Sequence, residues 1–481
     1  MENDYRHDLS QTDRERVELV TKPTTDWANA ERFERLSAGA TTHTSGDRLA
    51  FSLPTTNISF EAREDFHLGE ALFDKLWVSS PSSTLASDGL GPLFNARSCA
   101  ACHINGGRGH PPAAYENDHT SFVVRLARGP ASDDEKASLR ELHRLVLPDE
   151  VYGAQLQDRA VHGLNREGSV KVSYIETPFT FPDGTVTMLR RPNYTVTSLA
   201  YGEIGSSTTI SPRIAPPMIG LGLIDAIHQS DILSLADPYD VDGDGISGKP
   251  SLVRNEGGEI DLGRFGWKAE QPDLKSQTAS AFAFDIGIST TRFPLHRGDC
   301  TPLQLSCAAR PTGVQHRLGD VEAPDPILDL VTFYSANIAV PARRDVSSST
   351  VLEGKRHFYT AGCVACHTPK FVTSRDASQP EHRFQLIWPY SDLLLHDMGE
   401  GLADGQQVGV ATGREWRTPP LWGIGLTKTV GGKAFYLHDG RARTLTEAIL
   451  WHGGEAKASR DAFAALAAEE RASVIRFLES L

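Results

Sequence analysis

The sequence predicts a mainly α chain: two helical halves, each carrying one Cys-x-x-Cys-His, with a small β insertion in the first. Three observations carry this expectation. Before the first motif, REDFHLGEALFDKLW spaces Phe66, Leu72, Phe73, Leu76 and Trp77 at helical intervals. Between the motifs, SVKVSYIETPFTFPDGTVTMLRRPNYTVTSLAYG reads as strands around a Pro182-Asp183-Gly184 turn. From about residue 345 the chain reads as a compact helical unit, opened by GKRHFYTAGCVACH and closed by RASVIRFLESL.

Taken in order, residues 1–60 are polar and weakly periodic and are expected to form an extended arm over the surface. Residues 61–344 form the expected first domain. It contains the β stretch and an acidic loop, and it ends in the helical DPILDLVTFYSANIAVPARR, where Pro341 marks the boundary. Residues 345–481 form the second domain. Thr444 and Glu447 make a capping box before AILWHGG, and Val474, Phe477, Leu478 and Leu481 lie along one helical face.

Composition narrows the function. At 481 residues, 39% hydrophobic and 23% charged, the chain has the make-up of a globular protein with a substantial core. A formal charge of −14 argues against nucleic acid, whose phosphates require a basic face. No apolar run approaches the roughly 20 residues of a membrane helix, so no span is expected. Of six cysteines, four lie in the two motifs, and Cys300 and Cys307 in RGDCTPLQLSCAARP suit a small disulfide and an oxidising compartment.

FNARSCAACHINGGRG and GCVACHTPKF admit three chemistries: a zinc site, a thiol redox pair, or covalent haem. Zinc needs four ligands, usually in pairs about 12 to 20 residues apart, and these pairs are far more distant. A redox pair would want a βαβ context, which neither motif has. In a Cys-x-x-Cys-His on a helix, the two thiols meet the porphyrin vinyl groups and the following His ligates iron. Cys99, Cys102 and His103 are therefore expected to bind one haem c, and Cys363, Cys366 and His367 a second. The opening MENDYRHDLSQTDRERVELV lacks a leader's apolar stretch, although haem c is attached outside the cytoplasm. A periplasmic location is expected, with the signal peptide not present in this sequence.

LGEALFDKLW with the first motif, SPRIAPPMIGLGLIDAI, FGWKAEQPDLKSQTASAFAFDIGIS, WPYSDLLLHDMGEGLAD and REWRTPPLWGIGLTKTVGGKAFYLHDGRARTLTEAILWHGGEA carry a resemblance. From about residue 60 onward the chain resembles the di-haem oxidoreductases described as peroxidases or thiol oxidoreductases. More distantly it resembles the bacterial di-haem cytochrome c peroxidases and the enzyme that matures methylamine dehydrogenase. The resemblance implies two cytochrome c-like haem domains, with catalysis at one haem and electron relay by the other. It places Gln277 and Asp285 as the catalytic polar pair, with Glu270 and Gln271 as local competitors. It also places Trp267 between the haems. Met398, one of four methionines, is the candidate sixth ligand of the second iron, with His396 beside it. His110, His119 and His162 are not distinguished by spacing, and an open first iron is expected.

DPYDVDGDGISG alternates Asp240, Asp242 and Asp244 before Gly245, the pattern of a calcium loop, with Ile246 able to add its carbonyl. Ser251 stands where an EF-hand has Glu, so the loop is an incomplete version of that motif. Three functions follow as expectations. The first is a peroxidase reducing hydrogen peroxide with electrons from a small cytochrome c or cupredoxin. The second is an oxidase of a protein or thiol, and the third is a non-enzymatic electron carrier.

Overall fold

Ser59 starts the first long helix: its Oγ accepts from Ala62 N at 3.1 Å, and the helix runs Phe60–Asp74. Phe66, Gly69 and Phe73 form its buried stripe, which packs on the helix Asp325–Ala336. A computed structural model describes residues 6–113 and 121–481, so His119 lies outside the described residues. A second crossing joins Ser349–Thr360 to the closing helix Ala468–Ser480. There Gly354 meets the Ser473 carbonyl with no room for a Cβ. Around these two crossings lie two apolar cores, one holding Phe66, Phe73, Ile224 and Phe282, the other Phe358, Tyr390, Phe463 and Phe477. A third cluster, with Phe122, Leu126, Trp267 and Trp416, includes Tyr194 and Val196 of the hairpin among the residues packed against it.

The strands Ser169–Thr180 and Val186–Thr197 pair antiparallel throughout, from Ser169↔Thr197 to Thr180↔Val186. Gly184 closes the turn at φ +85°, a conformation that favours glycine. The hairpin reaches across the molecule. Phe181 at its tip is buried in the core of the second half. Arg443 pairs with Glu176 at 2.8 Å, and Arg190 Nε donates to the Arg441 carbonyl at 2.8 Å.

The chain is not mainly α. Helix accounts for 30% and strand for 16%, and the sheets among the described residues are all two-stranded. Two cytochrome c-like domains find no support in this architecture. The physical reason lies in the connecting segments. Apart from the seven-residue pair Phe122–Arg128 with Thr208–Ile214, they satisfy many backbone groups through ladders of two or three residues, such as Leu93–Phe94 with Arg159–Ala160, and through isolated bridges such as Arg125↔Gln155. Such pairings are too short to leave a period in the sequence. Cys300 and Cys307 are joined by a disulfide. No described helix is long and apolar enough to cross a membrane.

Candidate functional site

Two cavities each take one motif. Cys99, Cys102 and His103 line the first, with Phe73, Trp267, Gln277 and Asp285. The motif occupies a single tight turn rather than a long helix, for both Cys102 N and His103 N donate to the Cys99 carbonyl at 3.1 Å. His103 Nδ1 lies 2.8 Å from the Pro216 carbonyl. A carbonyl can only accept, so Nδ1 carries the proton and Nε2 keeps its lone pair. Burial lowers the His103 pKa and keeps the ring neutral, as a metal ligand must be.

Gln277 and Asp285 reach this cavity from adjoining turns. Asp273 caps the helix Leu274–Ala281, accepting from Ser276 N at 2.7 Å, and this helix carries Gln277. Asp285 follows in the π-helical turn Phe282–Ile286. Its Oδ1 accepts from Gln155 Nε2 at 2.8 Å, and its carbonyl accepts from Asn95 N at 2.9 Å. Glu270 is committed elsewhere, to Arg213 at 2.8 Å and to Lys268 N at 2.9 Å. Burial opposes its charge, but Arg213 and Arg125 outweigh that and hold it ionised. Gln271 makes a backbone bridge to Phe265 and also lines the cavity.

Cys363, Cys366 and His367 line the second cavity with Met398, His396 and His438. His367 Nδ1 lies 2.9 Å from the Tyr390 carbonyl, which again leaves Nε2 free, and burial pushes its pKa down to about 4. His396 is gripped between Asp392 at 2.7 Å and Glu455 at 2.8 Å, with Cys366 Sγ 3.6 Å from its Nδ1. Burial alone would lower its pKa; these partners hold it charged.

Trp267, Arg108, Arg417 and Pro419 line both cavities and form the wall between them. The Trp267 indole donates to the Ile214 carbonyl at 2.9 Å. Its ring meets His438 edge-on at 6.5 Å, and His438 stacks on Trp416 at 3.8 Å.

The family model described as "Di-haem oxidoreductase, putative peroxidase" matches residues 33–481. The chain belongs to the di-haem oxidoreductase family. No significant match was found among curated proteins or solved structures.

The residues of this di-haem oxidoreductase fit two haems. Among the described residues, each cavity offers a neutral imidazole whose Nδ1 is engaged by a carbonyl, and two cysteines that lie outside any disulfide. Burial pushes Cys99 and Cys363 up to about 12, so these sulfurs are thiols rather than the thiolates of a redox pair. The four sulfurs do not converge on one ion: among the described residues, no group of metal-ligating atoms contains more than one of them. Arg108 is buried with its Nη1 unpartnered, at the wall where both cavities open. An anionic group there, such as a haem propionate, would complete it.

His110 packs against Phe435 at 5.5 Å, and neither it nor His162 belongs to the lining of the first cavity. In the acidic loop, carboxylate oxygens of Asp237, Asp240 and Asp242 lie within 4.8 Å of one another, and that group does not include Asp244. Asp244 instead accepts from Ile246 N at 2.8 Å. The loop runs straight into the second cavity: Ile246 lines it, and Ser247 Oγ donates to Glu455 at 2.7 Å. Gln155, Arg125, Arg108, Arg417 and the His438–Trp416 stack escape sequence reasoning. Only the arginines leave any trace, as cations in apolar surroundings.

Proposed function

We propose that this di-haem oxidoreductase reduces hydrogen peroxide at the first cavity and receives electrons through the second. In the overall reaction, hydrogen peroxide takes two electrons and two protons and becomes two waters. One observation supports this division of labour above all. Gln277 and Asp285 share a cavity with the first motif, whereas the second motif shares its cavity with the thioether of Met398.

In this reading Cys99 and Cys102 hold one haem c by thioether bonds and His103 ligates its iron. Cys363, Cys366 and His367 do the same for the other. Bound haem would supply redox-active iron, and Met398 would offer the second iron a thioether, a ligand that favours electron transfer. Asp285 moves the proton that O–O cleavage requires, held in place by Gln155. Gln277 orients peroxide by hydrogen bonding. Trp267 carries electrons through the wall, and Arg108 and Arg417 face the propionates. A small soluble cytochrome c or cupredoxin delivers the electrons in the periplasm. A calcium ion held by Asp237, Asp240 and Asp242, with Asp244 bracing the loop, sets the approach of Ile246 and Ser247 to the second cavity. Residues 61–344 then serve as the catalytic segment and 345–481 as the electron-transfer segment.

The test is a pyridine haemochrome count on protein matured in a host that attaches haem c, followed by EPR and peroxide turnover. Two haems per chain with one high-spin ferric signal are expected. Gln277→Ala and Asp285→Ala should each lower turnover by about a hundredfold. Colourless protein, or protein holding zinc at these cysteines, would sink the proposal.

A further inference from the structure

Arg125 sits on the strand Phe122–Arg128, which pairs with Thr208–Ile214 and is bridged at Arg125 to Gln155. Its side chain lines the first cavity, with the guanidinium carbon 5.4 Å from the centre of the Phe284 ring, next in sequence to Asp285. Three of the other arginines of this cavity have protein partners. Arg213 pairs with Glu270 at 2.8 Å, and Arg264 Nη1 donates to the Ile227 carbonyl at 2.5 Å. Arg417 Nε donates to the Gly266 carbonyl at 3.0 Å. Arg108 and Arg417 stand in the wall shared with the second cavity, and Arg125 does not.

Among the described residues the Arg125 guanidinium has no hydrogen-bond or ion-pair partner; burial and Arg213 work against its charge, and the longer-range fields of Asp285, Glu270 and Asp299 favour it. Those carboxylates are engaged by Gln155, by Arg213, and by the Ala154 and Gln155 amides respectively. A guanidinium that lines a cavity without a hydrogen-bond partner from the chain is costly unless water or a ligand supplies the acceptor.

We propose that Arg125 is a catalytic residue of the peroxide site, a fixed cation that binds small anions and steadies negative charge on peroxide oxygen. The inference rests on the reading that peroxide reacts in the first cavity. There the inner oxygen of hydrogen peroxide gives its proton to the Asp285 carboxylate. As the O–O bond breaks, its electron pair moves to the outer oxygen, whose charge the guanidinium offsets. That oxygen already bears one proton, takes the second from Asp285, and departs as water. The remaining oxygen becomes the second water with two electrons from the donor protein and two protons from solvent. A preorganised donor aimed at developing charge contributes about a hundredfold or more to such a step.

The test uses the full chain with both haems and two optical probes of the first haem: azide, an anion at neutral pH, and neutral imidazole. Arg125→Gln should weaken azide binding by about tenfold or more, the worth of a hydrogen bond to a charged group. Imidazole affinity, haem content and the ferric spectrum should stay as in the parent. Arg125→Lys should recover part of the azide affinity, and kcat/KM for peroxide should fall about a hundredfold in Arg125→Gln. Equal azide affinity in parent and Arg125→Gln overturns the inference, as does a parallel loss for azide and imidazole, which would mark a structural role. A parent protein that binds azide yet turns over no peroxide removes the peroxidase reading and leaves Arg125 as an anion-binding group.

Discussion

Gln155 Nε2 lies 2.8 Å from Asp285 Oδ1, although the two residues are 130 positions apart in the chain. The Gln155 side chain is fully buried, and the same nitrogen also lies 2.7 Å from Asn95 Oδ1. It thereby ties the proposed proton-transfer group to the segment leading into the first motif.

Replacing Gln155 with Leu removes the donor shared by Asn95 Oδ1, Asp285 Oδ1 and the Phe284 carbonyl. The expected stability loss is about 1–3 kcal/mol, read by chemical denaturation. Peroxide turnover should fall by about tenfold, because a loosened carboxylate spends less time in reach of the substrate. A destabilised variant with unimpaired turnover would show that the contact serves folding alone.

Trp267→Phe keeps an aromatic ring in the wall but loses the N–H that meets the Ile214 carbonyl. Both haems should still be counted, while rapid-mixing traces should show electron transfer between them slowed by about tenfold, equivalent to roughly 1.4 kcal/mol on the barrier. Unaltered traces would take Trp267 out of the electron path.

Asp299 sets a pH dependence. Burial is the chief cause of its pKa rising from 3.8 to about 7, against the Ala154 and Gln155 amides and Arg125, which favour its charge. The folded chain therefore binds this proton more tightly than the unfolded chain does. Its contribution to stability is full below the lower value, declines as pH rises from about 4 to 7, and is level above that. Asp299→Asn keeps an acceptor for the two amides and should flatten that decline. Its unfolding midpoint should exceed the parent's at pH 8 and converge with it near pH 4. A difference independent of pH would assign the ionisation to another group.

Gly354→Ala tests the second helix crossing. Alanine would gain about 1 kcal/mol in helix propensity, yet its Cβ meets the Ser473 carbonyl, and overpacking costs about 1–3 kcal/mol. A lower melting temperature is expected, whereas a higher one would mean that the helices slide apart without cost.

Much of the site is legible in the sequence because its chemistry is local. The two Cys-x-x-Cys-His turns, the hairpin about Pro182-Asp183-Gly184 and the closing helix are each set by neighbours in the chain. The capping box at Thr444 is half formed: Thr444 Oγ1 accepts from Glu447 N at 3.1 Å, but Glu447 turns to Arg443 N at 2.8 Å. The mainly α expectation failed because it extended helical periodicity into segments held by two-residue ladders. Gln155 was hidden for a similar reason, its bridge to Arg125 being an isolated one. In EVYGAQLQDRA nothing marks Gln155, whose role arises from a partner that only the folded chain brings close.

The reach of the hairpin limits modular exchange. Severing the gene after residue 344 would leave Phe181 and Glu176 on one product and the apolar bed and Arg443 that receive them on the other. Each fragment would emerge with an exposed seam that only its counterpart can cover. A second half transplanted from a relative must therefore bring a matching bed, so the two halves are constrained to be inherited and to diverge as a pair.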